Sequence, residues 1–194
     1  MRHLHPSDYR VMPWKDGGGS TTEIAIQPAG AGLSEPFLWR VSSASVATSG
    51  PFSRFPGRAR LLTLLDGPGL ILDIEGQGRQ RLKHPGQVVA FSGDVAVHAT
   101  LIQGPAVDFG VISDPGRVKA TLQWLNLGAN ATSVDLAPTT LLYAPFGPVQ
   151  VDPLGLTLAP QDCLWIGHEP GRARLGLRAA AAATALVRVA LEPV

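Results

Sequence analysis

The chain has 194 residues with 16 Lys and Arg against 15 Asp and Glu, and a net charge of +1 offers no field for holding a phosphate backbone, so no nucleic acid partner is expected. Cys163 is the one cysteine, which excludes an internal disulfide or a thiolate metal cluster, fits a reducing compartment and reads most simply as a small buried hydrophobe. The opening MRHLHPSDYR lacks an apolar h-region and the weakly polar run at residues 179–187 is far short of the ~20 a membrane helix needs, so a cytoplasmic chain with no membrane partner is expected.

The 22 glycines and 17 prolines punctuate short apolar runs, the pattern of many strands joined by tight turns. Residues 12–24, MPWKDGGGSTTEI, come first. Three consecutive glycines cost backbone entropy and suit a sharp bend or a close approach to another group. A phosphate loop needs Gly-Lys-Ser/Thr leading into a helix, whereas Ile24-Ala25-Ile26 reads as a strand. The stretch is therefore either a plain turn or, with Trp14, Lys15 and Thr21 beside it, the rim of a binding site.

Period-two alternation then sets Phe37, Trp39 and Val41 on one face of a strand and Arg40, Ser42 and Ala44 on the other. In a barrel that second face can line a polar lumen, where a guanidinium clamps a carboxylate through two parallel hydrogen bonds; a solvent-facing Arg40 is the plain alternative. Leu70, Leu72 and Ile74 oppose Ile71, Asp73 and Glu75 in the same way. Further strands are expected at residues 87–91, 97–102, 107–112, 154–158, 164–166, 172–178 and 186–191, separated by turn formers such as Asp66-Gly67-Pro68-Gly69 and Glu169-Pro170-Gly171. Residues 117–127, with Val118, Thr121, Leu122 and Leu125 at helical spacing, and the alanines near Ala179 read as helical, with strand as the alternative for both.

The expected fold class is all-β. A faint echo between His84-Pro85-Gly86-Gln87-Val88-Val89 and Ala159-Pro160-Gln161-Asp162-Cys163-Leu164-Trp165 fits two similar halves, although any β protein repeats turn-then-strand. Ser113-Asp114-Pro115-Gly116 marks the joint, giving halves at residues 1–114 and 115–194 with no long linker.

MPWKDGGGSTTEI, WRVSSASVATSGPFSRFPG, LLTLLDG, FSGD and GPAVDF, in that order, resemble the successive signatures of the HutD/Ves family over residues 9–112. The resemblance implies a double cupin, two RmlC-like jelly-roll or β-barrel halves in one chain, and an association with bacterial histidine utilisation in a regulatory rather than catalytic role. It implicates Trp14, Lys15, Gly17, Gly18, Gly19, Thr21 and Glu23, then Arg40, Ser42, Phe52, Ser53, Phe55, Pro56 and Gly57, and finally Asp94 and Asp108. Asp16, Ala59 and Gly110 depart from it, standing where Asn, Asp and Asn are usual.

Many cupins hold a metal on a His-x-His pair with a Glu a few residues on. The barrel region lacks that arrangement. His3 and His5 have the spacing but no third ligand nearby, and His84, His98 and His168 stand singly, so neither a metal nor a cofactor is expected. For acid–base chemistry the one pair that can be constructed is His98 with Asp108, on strands read as adjacent.

The leading expectation is a metal-free bicupin that binds a small anionic metabolite, urocanate-like or a formylated amino acid. Lys15 and Arg40 would receive its carboxylate, Trp14 would cover a planar part, Asp94 or Asp108 would accept a polar hydrogen, and Gly18, Gly19, Thr21, Ser42 and Phe52 would complete the site. The alternatives are a metal-independent isomerase or epimerase with His98 as base, and a structural protein with no ligand. A homodimer is one assembly the sequence allows.

Overall fold

Alternating apolar and polar residues generate nineteen strands and one 3-10 turn (Pro6–Asp8) in a computed structural model that describes residues 1–32, 35–167, 171 and 173–194. The strands are β1 (Arg2–Leu4), β2 (Arg10–Pro13), β3 (Gly19–Gln27), β4 (Trp39–Val46), β5 (Gly50–Pro51), β6 (Ala59–Asp66), β7 (Leu70–Ile74), β8 (Gly78–Leu82), β9 (Val88–Ser92) and β10 (Val97–Leu101). They continue with β11 (Ala106–Ser113), β12 (Val118–Leu127), β13 (Thr132–Asp135), β14 (Thr139–Tyr143), β15 (Val149–Asp152), β16 (Leu156–Leu158), β17 (Cys163–Ile166), β18 (Arg174–Ala179) and β19 (Thr184–Pro193). The protein is all-β, with no α-helix among the described residues.

Two compact units form. The first, Tyr9–Lys119 with Val194, stacks a six-stranded sheet in the order β2-β3-β4-β11-β6-β9 on a four-stranded sheet in the order β5-β10-β7-β8. Leu62 and Leu64 from the larger sheet meet Leu70, Leu72, Ile74, Leu82, Val97 and Ala99 from the smaller in one core. Strand β7 shows the alternation, since Leu70, Leu72 and Ile74 are buried while Asp73 faces water. The second unit, Met1–Asp8 with Ala120–Pro193, has a five-stranded sheet, β1-β17-β14-β19-β12, and a four-stranded one, β13-β18-β15-β16. Leu142, Leu164, Ile166 and Leu186 pack there with Val149, Val151, Leu175 and Leu177. Each unit is a sandwich of antiparallel sheets.

Three expectations change. Residues 1–8 belong to the second unit, not to a half at 1–114, because β1 adds to the edge of β17 in antiparallel register; the other limit falls at Lys119. Residues 117–127 are not helical: Val118–Leu127 is strand β12 beside β19, where sheet pairing and the burial of Val118, Leu122 and Leu127 outweigh a helical spacing. The alanines are not a helix either, for β18 ends at Ala179 and only residues 180–183 separate it from β19, about one helical turn, too short to hold. His168, Glu169, Pro170 and Arg172 lie outside the described residues, and with them most of the turn expected at 169–171.

Leu72 is fully enclosed in the first core. We expect Leu72→Ala to destabilise by about 2–5 kcal/mol through lost transfer energy and a residual cavity, read from urea unfolding.

Candidate functional site

The register of the six-stranded sheet lays polar side chains in rows. Thr21, Ala44, Asp108 and Leu64 stand in one row across β3, β4, β11 and β6, Glu23, Ser42, Gly110 and Leu62 in the next, and Ile26, Arg40, Ile112, Arg60 and Phe91 in a third that reaches β9. Because a strand repeats every two residues, all three rows share a face. Part of that face walls a cavity of about 480 Å³ lined by Arg40, Ser42, Ala44, Arg60, Leu62 and Asp108 and, from the segments around the sheet, by Trp14, Lys15, Phe52 and Phe55. Trp39 and Val41 are buried on the opposite face of β4, as the alternation required.

Arg40 is almost fully buried, and its Nε donates to Glu23 Oε2 at 2.7 Å. Glu23, opposite Ser42, is diagonal to Arg40, and a bulge between Glu23 and Ala25 inserts Ile24 as an extra residue, so that Ile26 comes to stand opposite Arg40. The acid that partners Arg40 is thus Glu23. Arg40 Nη2, also buried, has no hydrogen-bond partner among the described residues.

Arg60 stands two strands from Arg40, roughly 10 Å away, on the far side of Ile112. Its guanidinium lies over Phe52, Phe55 and Phe91 at 5.5, 5.3 and 4.9 Å and donates from Nη1 to the Ser53 carbonyl. Burial lowers its pKa to about 10, the nearby Asp108 opposing that shift and Arg40 adding to it. Asp108 is 5% exposed, and burial pushes its pKa up to about 7 against the restraining charge of Arg60 and a backbone hydrogen bond from Ala44.

The glycine stretch is a tight loop at the rim. Trp14 N–H donates to the Gly19 carbonyl at 2.9 Å, and the indole Nε1 donates to Thr21 Oγ1 at 2.9 Å, which orients the ring. A Cβ on Gly19 would lie 2.2 Å from the Ser45 carbonyl oxygen, so close approach of two backbones demands glycine there. Asp16 Oδ1 accepts the Gly18 N–H at 3.0 Å, a bond the amide oxygen of an Asn would make equally well. Gly18 and Gly19 shape the loop and do not themselves line the cavity, whereas Trp14, Lys15, Asp16 and Thr21 do.

Two candidates fall away. Asp94 is exposed and holds the turn that carries Phe55, accepting the Gly57 N–H and the Ser92 hydroxyl at 2.8 Å each; these two bonds keep its pKa below the usual carboxylate value. His98 is exposed on β10, which pairs with β5 and β7 in the smaller sheet, while Asp108 is on β11 in the larger, so the two do not form a dyad. Arg60, by contrast, is a cavity residue that the sequence did not single out. Its alternation with Leu62 and Leu64 in ARLLTLLD was the available signal, but the pairing of β6 with β11 that puts it on the same face as Asp108 is not visible there.

The HutD family model matches residues 6–187. The chain belongs to the HutD family. An uncharacterized 21.2 kDa protein in the hutC 3' region of Pseudomonas putida is 40% identical over 167 residues, 84% of this chain and 85% of that one. Among solved structures, a conserved protein of unknown function from Pseudomonas aeruginosa PAO1 superposes with a TM-score of 0.87 at 38% identity, covering 98% of each chain. HutD from Pseudomonas fluorescens SBW25, in a formate condition, follows at 0.80 and 36% identity with the same coverage. A cupin 2 conserved barrel protein from Leptotrichia buccalis, 10% identical with a TM-score of 0.56 over 93% of this chain and 92% of its own, shares the fold. In this HutD-family chain Gly110 leaves the cavity wall bare at the position where the resemblance expects Asn.

Asp108 links the site to pH. With a folded pKa of about 7 against 3.8, the native state keeps a proton that the unfolded chain has released, so this carboxyl contributes stability that falls between about pH 4 and 7 and is level above. We expect Asp108→Asn to gain about 2–3 kcal/mol relative to wild type between pH 5 and pH 8 in urea unfolding.

Proposed function

We propose that the first unit is the binding site of a small carboxylate-bearing metabolite, urocanate-like or a formylated amino acid, and that the protein acts by sequestering or sensing this ligand in histidine catabolism in the cytoplasm. One observation carries the reading: Arg40 reaches the cavity wall with one nitrogen anchored on Glu23 and another, Nη2, buried without a partner. A desolvated donor of this kind is costly unless it is met by an acceptor, and a carboxylate meets it with a charge-assisted bond. Arg60 and Lys15 add positive charge around the same space, and Trp14 and Phe52 provide flat apolar surface for a planar ligand. The name of the Pseudomonas putida relative, which ties that protein to the hutC region, supports the choice of pathway.

No histidine lines the cavity among the described residues, which supports binding over histidine-based acid–base catalysis. One observation favours a second reading, an isomerase: Asp108, which lines the cavity with a pKa of about 7, is placed to exchange a proton. Incubating candidate ligands with the protein in D2O separates the two. A binding protein leaves their carbon-bound hydrogens in place, and an isomerase exchanges them unless Asp108 is Asn.

Calorimetry with urocanate and N-formylglutamate tests the clamp. We expect Arg40→Met to weaken binding by ~1.5–3 kcal/mol, the range of a hydrogen bond to a charged group. Because Arg40→Met also strands Glu23, Arg60→Met is the companion variant, with circular dichroism as the check on folding; unchanged affinity in both removes the arginines from the site. Affinity should also rise as pH falls from 8 to 6, because protonated Asp108 no longer repels the anion, and Asp108→Asn should abolish that trend.

A further inference from the structure

Outside the cavity, the second unit gathers three metal-ligating side chains that the sequence keeps far apart. Strand β1 lies antiparallel on β17, with Arg2, His3 and Leu4 opposite Trp165, Leu164 and Cys163. Leu4 turns into the protein and is 6% exposed, so His3 faces the other way, and His5 follows at the strand end with its ring centroid 4.2 Å from that of His3. Asp162, the residue before β17, sits under both rings. Its Oδ2 lies 2.7 Å from His3 Nε2 and its Oδ1 3.0 Å from His5 Nδ1. The third ligand that the His-x-His pair lacks nearby in the sequence is thus supplied by a residue 157 positions beyond His5.

We propose that His3, His5 and Asp162 form a binding site for a divalent metal ion of the zinc type. Two imidazoles and one carboxylate are a donor set that zinc, nickel and cobalt accept readily, and three protein ligands leave a position for water or a small anion. One donor atom from each residue lies within 4.8 Å of the other two. Ligands bound to one zinc at ~2.0–2.1 Å stand roughly 3–3.4 Å apart, so the three donors reach one ion by shifts of about 1–2 Å at most. The surroundings fix the donors: Ala159 N–H donates to Asp162 Oδ2 at 2.9 Å, and the His5 backbone N–H donates to Asp8 Oδ2 at 2.8 Å. Entry is open, for Asp162 is buried at the base while the His5 side chain is 53% exposed. An ion here would clamp β1 to β17, so that the first strand is held by a metal as well as by its backbone hydrogen bonds.

The test uses the full chain without an affinity tag, stripped with a chelator and titrated with zinc chloride in a calorimeter, with unfolding temperature as a second readout. We expect one zinc per chain, a higher unfolding temperature with zinc, and at least tenfold weaker binding in both His3→Gln and His5→Gln. If His3→Gln fails to fold by circular dichroism, the half-exposed His5 decides alone. Absence of one-to-one binding, or unchanged affinity in either folded variant, overturns the three-ligand site. Because the cavity of the first unit takes no part, this outcome is independent of carboxylate binding there.

Discussion

A buried ion pair in the sheet wall, Arg40 with Glu23, sets the terms for the first unit. Burying both charges costs several kcal/mol for each ion before their attraction and hydrogen bonding offset it, and removing one partner leaves an uncompensated charge worth about 3–5 kcal/mol of destabilisation. The local structure is built to keep them together. The pairing of Glu23 with Ser42 sets Glu23 diagonal to Arg40, the bulge at Ile24 then brings Ile26 opposite Arg40, and β4 keeps strict alternation so that Trp39 and Val41 take the opposite face. What the pair does not satisfy is as informative as what it does, because Glu23 accepts from Nε and Nη2 is left over.

The second charge pair works differently. Arg60 is cushioned on three phenylalanine rings, contacts worth about 0.5–2 kcal/mol each, and its charge restrains but does not cancel the cost of burying Asp108. Asp108 therefore titrates near neutrality, and the charge balance of the cavity changes over the pH range in which a cell lives. A site with one permanently paired arginine, one cushioned arginine and one acid near its midpoint is suited to holding an anion reversibly.

Much of this was legible in the residues. Period two in Trp39-Arg40-Val41-Ser42 put Arg40 and Ser42 on the cavity face, and the turn formers located most strands. Trp14, Lys15, Thr21, Phe52 and Asp108 all reach the cavity wall. What was not legible depends on long-range pairing. His98 and Asp108 looked like neighbours because their strands are consecutive, yet β10 and β11 belong to different sheets. Asp94 sat in a recognisable motif, but its work is to hold a turn. Residues 117–127 carry a helical spacing that the sheet overrides, and the joining of β1 to β17, which moves residues 1–8 into the second unit and brings His3 and His5 to Asp162, leaves no local trace at all.

The central claim is that the unpartnered nitrogen of Arg40 is the anchor for a ligand carboxylate. A crystal structure of the protein grown with urocanate tests it directly, since the position of a planar ligand with one carboxylate can be read without ambiguity. The account predicts a carboxylate oxygen within about 3 Å of Arg40 Nη2, with the Arg40–Glu23 bond intact and the ring against Trp14 or Phe52. A ligand bound elsewhere in the chain, or one in the cavity whose carboxylate points away from Arg40, would contradict it.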